Sequence, residues 1–139
     1  MNGVLDMFGH IDSTFQSHTV EQIKIGTAIV DFRSVFDELA RESFAATVQP
    51  VSLKEIEFLG IGGERINDVR RVYRNDGGMF YEGNDDQMLD VLYFSEAPGR
   101  VPATYWKVIQ ADNRPWRNYA KAIADKLDPE MIAKYGLAV

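Results

Sequence analysis

The sequence predicts a mainly β protein, a small β-barrel or sandwich with a short internal helix and short terminal helices. Short alternating or β-branched runs recur from Val20 to Lys126, and turn-rich stretches separate them. The clearest helix-start patterns, at Ser52 and Asp128, each govern only a few residues. At 139 residues the chain is about one domain long and can bury a core without disulfides or metals. A hydrophobic content of 45% and an aromatic content of 12% suit a packed chain and exclude wholesale disorder. Three regions are expected: an N-terminal arm or short helix over 1–19, a β-barrel domain over 20–127, and a C-terminal helical tail over 128–139.

In the first region Leu5, Phe8, Ile11 and Phe15 keep helical spacing, which Gly3 and Gly9 weaken. The segment either packs on its own domain or is reserved for a partner. From Val20 to Asp31 the β-branched residues favour a strand, with Ile23, Ile25, Thr27 and Ile29 on one face. Propensity alone makes Val35–Arg41 a helix, whereas Ser43–Val51 reads as extended and Pro50 forces Gln49 out of helical geometry. Ser52 followed three residues later by Glu55 is a capping box, which opens a short helix through Phe58 or Leu59 that Gly60 ends. The Gly60-Ile-Gly-Gly63 run supplies a tight loop.

Asn67–Arg74 reads as a strand with Val69, Arg71 and Tyr73 on one face and Arg70, Val72 and Arg74 on the other. The glycine-rich stretch Asn75–Gln87 carries Asp76, Glu82, Asp85 and Asp86 around Phe80 and Tyr81, and reads as an exposed loop or long hairpin tip. Met88–Phe94 and Tyr105–Ala111 are strands, joined by a proline-containing loop. Over Asn118–Lys126 the alanines 120, 122 and 124 favour helix, yet Tyr119, Lys121, Ile123 and Asp125 alternate as in a strand, and the residues alone leave both open. A last short helix starts at Asp128 as N-cap, with Pro129 in its first position and Gly136 as its stop.

With 15 basic and 21 acidic residues the net charge is −6, which opposes strong nonspecific phosphate binding. The same charge suits a surface that DNA passes without sticking. The absence of cysteine excludes a disulfide framework, a thiolate zinc site and a thiol nucleophile. His10 and His18 lack metal-ligand spacing, the acidic set Glu82, Asp85, Asp86 and Asp90 does not match an EF-hand loop, and the glycine run lacks the Gly-Lys-Ser/Thr ending of a phosphate loop. Trp106 and Trp116 with Tyr105 and Tyr119 form a late aromatic group, for which core packing is the plainer reading and a ligand platform the sharper one. The stretch Met1–His10 has no basic leader and no apolar run long enough for a membrane span follows. The expectation is a cytoplasm-compatible protein with no enzymatic site, metal or cofactor.

Val48-Gln49-Pro50, Glu55, Gly63-Glu64-Arg65, Val72-Tyr73, Leu89-Asp90-Val91, Trp106-Lys107-Val108, Trp116, Tyr119 and Ala122-Ile123 follow one another in an order that resembles the small head-to-tail joining proteins (neck, collar or stopper-like) of tailed bacteriophages. The resemblance spans Phe44 to Ala124. It implies a barrel whose final strand follows a Trp/Tyr-containing turn, which tips Tyr119–Asp125 towards strand. It gives Gln49, Pro50, Gly63, Glu64, Arg65, Trp106, Trp116 and Tyr119 structural roles. It further implies a virion protein, assembled in the bacterial host cytoplasm, that forms a homo-oligomeric ring between portal/adaptor and tail-terminator proteins. Genomic DNA passes such a ring without sequence-specific binding, and no membrane is involved. In that setting Asp76, Phe80, Tyr81, Glu82, Asp85 and Asp86 are the expected channel or inter-ring loop. The chain departs from the pattern in its Gly-Ile-Gly turn before Gly63, its long loop after Asn75 and its N-terminal stretch. The alternative is a small acidic binding module, inhibitor or immunity-like, that blocks a basic surface.

Overall fold

The computed structural model describes residues 17–82, 88–97 and 99–137. Six strands, β1 (Ser17–Val30), β2 (Arg33–Pro50), β3 (Val69–Arg74), β4 (Leu89–Phe94), β5 (Thr104–Arg114) and β6 (Tyr119–Lys126), close into a barrel in the order β1-β2-β3-β6-β5-β4. Every pairing is antiparallel. Closure satisfies the strand edges within the barrel. Two short helices, α1 (Leu53–Phe58) and α2 (Pro129–Lys134), and short 3-10 turns at Gly63–Asp68 and Pro115–Arg117 complete the described chain.

The period-2 alternation decides which face of each strand is buried. Val20, Phe44, Val72, Phe94, Trp106 and Val108 point inward. The inward positions of β6 are all alanine, Ala120, Ala122 and Ala124, and that narrow wall leaves room for the rings of Trp106 and Phe94, stacked with centroids 4.9 Å apart. Outside the barrel, Val69 and Ile123 are covered by Val51 and Ile56 of the α1 segment. On the opposite wall Ile23, Ile25, Leu89 and Val91 are covered by Leu127, Tyr135 and Leu137. Burying such side chains contributes about 1.5–3 kcal/mol each, so the C-terminal tail is an integral cover of the barrel.

Both helices follow their end signals. The Ser52–Glu55 capping box is formed, and Asp128 accepts the Met131 N–H at 2.8 Å. Each helix ends in a Schellman motif: Ile61 N–H donates to Ile56 O at 3.1 Å, and Leu137 N–H donates to Ile132 O at 3.1 Å, past the left-handed Gly60 and Gly136.

The helix expected over Val35–Arg41 is instead strand. Asp31 and Phe32 both have positive φ, 51° and 64°, and reverse the chain in a two-residue turn, so that Val30 pairs with Arg33 and β2 runs back along β1 for its whole length. Tertiary pairing overrides the local propensity there. Asn118–Lys126 resolves as the strand β6, preceded by a left-handed Asn118. Of the expected N-terminal region, Ser17–Thr19 open β1, and residues 1–16 lie outside the described residues.

Candidate functional site

The polar centre of the molecule lies at the barrel end where β3 finishes and β4 begins. There β3 delivers Arg74 to the interior, with a side chain only 4% exposed. Its Nε and Nη2 donate to the two oxygens of Asp76 at 2.7 and 2.8 Å, and Nη1 donates to Gln22 Oε1 at 2.6 Å and Glu42 Oε1 at 2.8 Å. The guanidinium also lies 4.1 Å from the centre of the Phe44 ring. The paired carboxylates are what make a buried cation tolerable. In return the Arg74 bonds, with the Gly78 N–H, hold the Asp76 carboxyl down at about 2 against the opposing effect of burial. Glycine at 78 makes room for this packing, because an added Cβ would fall 2.1 Å from Arg74 Cζ and would have to displace the guanidinium.

Gln22 extends the network: its Nε2 donates to Met79 O at 2.8 Å and to Asp90 Oδ2 at 2.6 Å. The same Asp90 oxygen accepts the Tyr81 N–H at 2.8 Å. Asp90 is fully buried and its Oδ1 has no hydrogen-bond partner among the described residues. Burial therefore pushes its pKa up, although the Tyr81 N–H and the Gln22 amide pull the other way. Asn113 closes the ring with a two-point clamp, accepting the Phe80 N–H at 2.9 Å and donating to Phe80 O at 2.7 Å. Glu82 accepts the Ala111 N–H at 2.7 Å.

These bonds turn the start of the acidic loop into a plug. Phe80 enters the barrel and packs edge-on against Phe44, with centroids 5.8 Å apart, while Tyr81 stays partly exposed under Lys24. Of the expected exposed loop, Asn75, Asp76, Gly77, Met79, Tyr81 and Glu82 are exposed, and the expectation is corrected only for Phe80, which is core; Asp76 and Glu82 are anchored by hydrogen bonds while remaining exposed. Asp85 and Asp86 lie outside the described residues. An open depression of about 430 Å³ lies between the plug and the base of the β1–β2 hairpin, lined by Lys24, Arg41, Glu42, Met79 and Tyr81.

The other singled-out residues separate. Gln49 and Pro50 end β2 opposite Arg71 and Arg70 of β3. Gly63, Glu64 and Arg65 form the 3-10 turn, from which Arg65 reaches an ion pair with Asp125. Burial raises the Asp125 pKa, and Arg65 opposes this. The late aromatics are not one cluster: alternation on β5 sends Trp106 inward and Tyr105 outward onto Tyr93, Trp116 is 76% exposed, and Tyr119 leans on Tyr73 at 6.1 Å. Among the described residues no three His, Asp or Glu side chains come together as metal ligands, and no helix is long and apolar enough to cross a membrane.

Among the described residues, β1 beyond Ile25 pairs only with β2, and β2 before Thr47 pairs only with β1, so the hairpin runs on past the barrel as a two-stranded arm. Leu39 is the extra residue of a bulge at the arm's base and folds over Gly26. Phe32 at the tip is fully exposed, and Val35 and Leu39 are about half exposed, at 44% and 58%. Phe36, on the other face, packs edge-on against Tyr135 at 4.8 Å. The signal was present as Asp31-Phe32 between two alternating runs, but it lacks the glycine that marks such turns.

No protein-family model matches the chain, and no curated protein matches it. Among solved structures it is similar to the solution structure of protein SF1141 from Shigella flexneri 2a, at a TM-score of 0.54 and 11% identity over 81% of this chain and 93% of that one. Similarity at this identity concerns the fold alone.

Proposed function

We propose that this chain is a head-to-tail connector subunit of a tailed bacteriophage, a neck protein that forms a ring between the portal/adaptor and the tail. In this role it lines the channel that the genome passes, and it needs neither catalysis nor a cofactor. One observation carries the reading: a closed barrel, sealed at its polar mouth, extends an arm whose apolar side chains Phe32, Val35 and Leu39 face solvent. A two-stranded ribbon is marginal alone in water, and exposed apolar side chains concentrated on one suit a subunit that is completed by neighbours. The net charge of −6 suits a wall that DNA slides past.

The test is to probe gradient-purified phage particles with antibodies against the chain and to delete its gene. The chain is expected in tailed particles, and its loss should leave filled heads and free tails unjoined. Abundant chain in the lysate with none in particles would overturn the reading. That outcome would favour the acidic binding module, for which the exposed carboxylates Asp31 and Asp37 are the supporting observation.

A further inference from the structure

We infer that the arm of one copy docks on the outer β5–β6–α1 wall of the next copy, making a head-to-tail contact. This rests on the connector reading and names the surface by which its ring would close. The strand order places β1 opposite β6 and β2 opposite β5 around the barrel, so the body of the molecule stands between the arm and its own far wall. A contact joining two different patches on opposite walls is heterologous, and it closes into a ring when the rotation per copy allows.

The two surfaces match in chemistry. On the far wall two adjoining depressions, about 320 and 280 Å³, share Gln110 and Lys121 and continue from Phe58 and Leu59 to Asp112. Phe58 on this wall is 84% exposed. Glu55 answers both Arg71 at 3.4 Å and Lys121 at 3.8 Å, so these three carry a surplus positive charge. Lys54 adds to it, unpaired among the described residues, in a chain that is acidic overall. The arm is the complement: Asp31 and Asp37 flank the exposed Phe32, Val35 and Leu39 and have no ion pair among the described residues. Apolar groups framed by opposite charges on two separate surfaces give both burial and register. A wall with an exposed aromatic also suits a nucleic acid, but Glu55 and Asp112 in its lining and the net charge of −6 oppose phosphate binding.

The chain has no cysteine, which makes disulfide trapping specific. Asp37→Cys and Lys54→Cys are made in separate full-length chains, which are then mixed and oxidised. The expected product is a heterodisulfide at least tenfold above either homodisulfide, and mixing Asp37→Cys with a control Lys126→Cys on the rim should not give it. In parallel, Asp31→Lys/Asp37→Lys should lose self-association by sedimentation, and Lys54→Glu/Lys121→Glu in the same chain should restore it. Homodisulfides alone, or charge-swapped pairs that do not rescue, overturn the inference. So does capture of a short DNA duplex by the wall in chains that give no heterodisulfide. A chain that is present in particles but fails these tests leaves the connector reading standing, whereas a heterodisulfide-forming chain absent from particles removes the connector reading alone.

Discussion

β1 and β2 build two unlike regions from one pair of strands. In the barrel β4 and β3 flank them, and every inward residue finds a partner: Val20 and Phe44 in the apolar interior, Gln22 in the network of Arg74 and Asp90. Past Ile25 the same alternation continues with no third strand among the described residues, and Val35 and Leu39 are left exposed. The difference lies in the neighbours rather than in the local pattern. A surface that follows the rule for burial but meets no third strand is the one the proposed connector role would fill.

The sharpest contrast should be between the two phenylalanines that end these regions. Phe80→Ala removes a fully buried ring from the plug and should cost about 4 kcal/mol in urea unfolding, while Phe32→Ala should stay within about 0.5 kcal/mol. Equal effects would erase the distinction between plug and arm.

Next in size is the pair of arginines. Arg74→Met strands Asp76, Glu42 and Gln22 and should cost about 3 kcal/mol. Arg41→Ala breaks exposed pairs with Glu21 and Glu38 and should cost less than about 1 kcal/mol. A double-mutant cycle with Asp76→Asn checks that the first figure belongs to the network.

The two carboxyls of the mouth should respond to pH with opposite sign. Asp76, lowered from 3.8 to about 2, lends stability that is full above pH 3.8 and lost as pH falls towards 2. Its partial exposure limits that contribution to about 1 kcal/mol. Asp90, raised above 3.8, favours the fold when neutral, and that contribution is lost as pH rises through its raised value. The stability of Asp90→Asn relative to the parent should therefore climb with pH in unfolding curves taken from pH 3 to 8, a range set by the ordinary carboxyl value. A flat difference would mean that Asp90 is not titrating in the interior.

The smallest effect is the most telling about purpose. Phe32 sits at φ 64°, a conformation that costs a side-chain-bearing residue about 1 kcal/mol, so Phe32→Gly should stabilise the isolated chain by up to that amount. On the proposed connector reading Phe32 makes a contact between subunits, so the same substitution should weaken particle assembly.

Much of the barrel was legible in the sequence because the alternations of β3, β4 and β5 and the caps at Ser52 and Asp128 are local signals. The strand state of β6 was not, since its three inward alanines serve a helix equally well until the rings of Trp106 and Phe94 claim the space opposite. The arm was hidden by a turn without glycine, and the mouth by sequence separation: Gln22, Arg74, Asp90 and Asn113 acquire meaning only when closure brings them round Phe80. A polar residue at an inward strand position, such as Arg74 beside Val72 or Asp90 between Leu89 and Val91, was the available clue.

The arm as the working part can be tested by shortening it. Thr27 pairs with Phe36, so replacing 28–35 by Asn-Gly gives a clean two-residue turn in the same register. The account predicts a barrel that unfolds at the parent's urea midpoint but no longer joins heads to tails in a complementation assay. Normal joining by the shortened chain would contradict it.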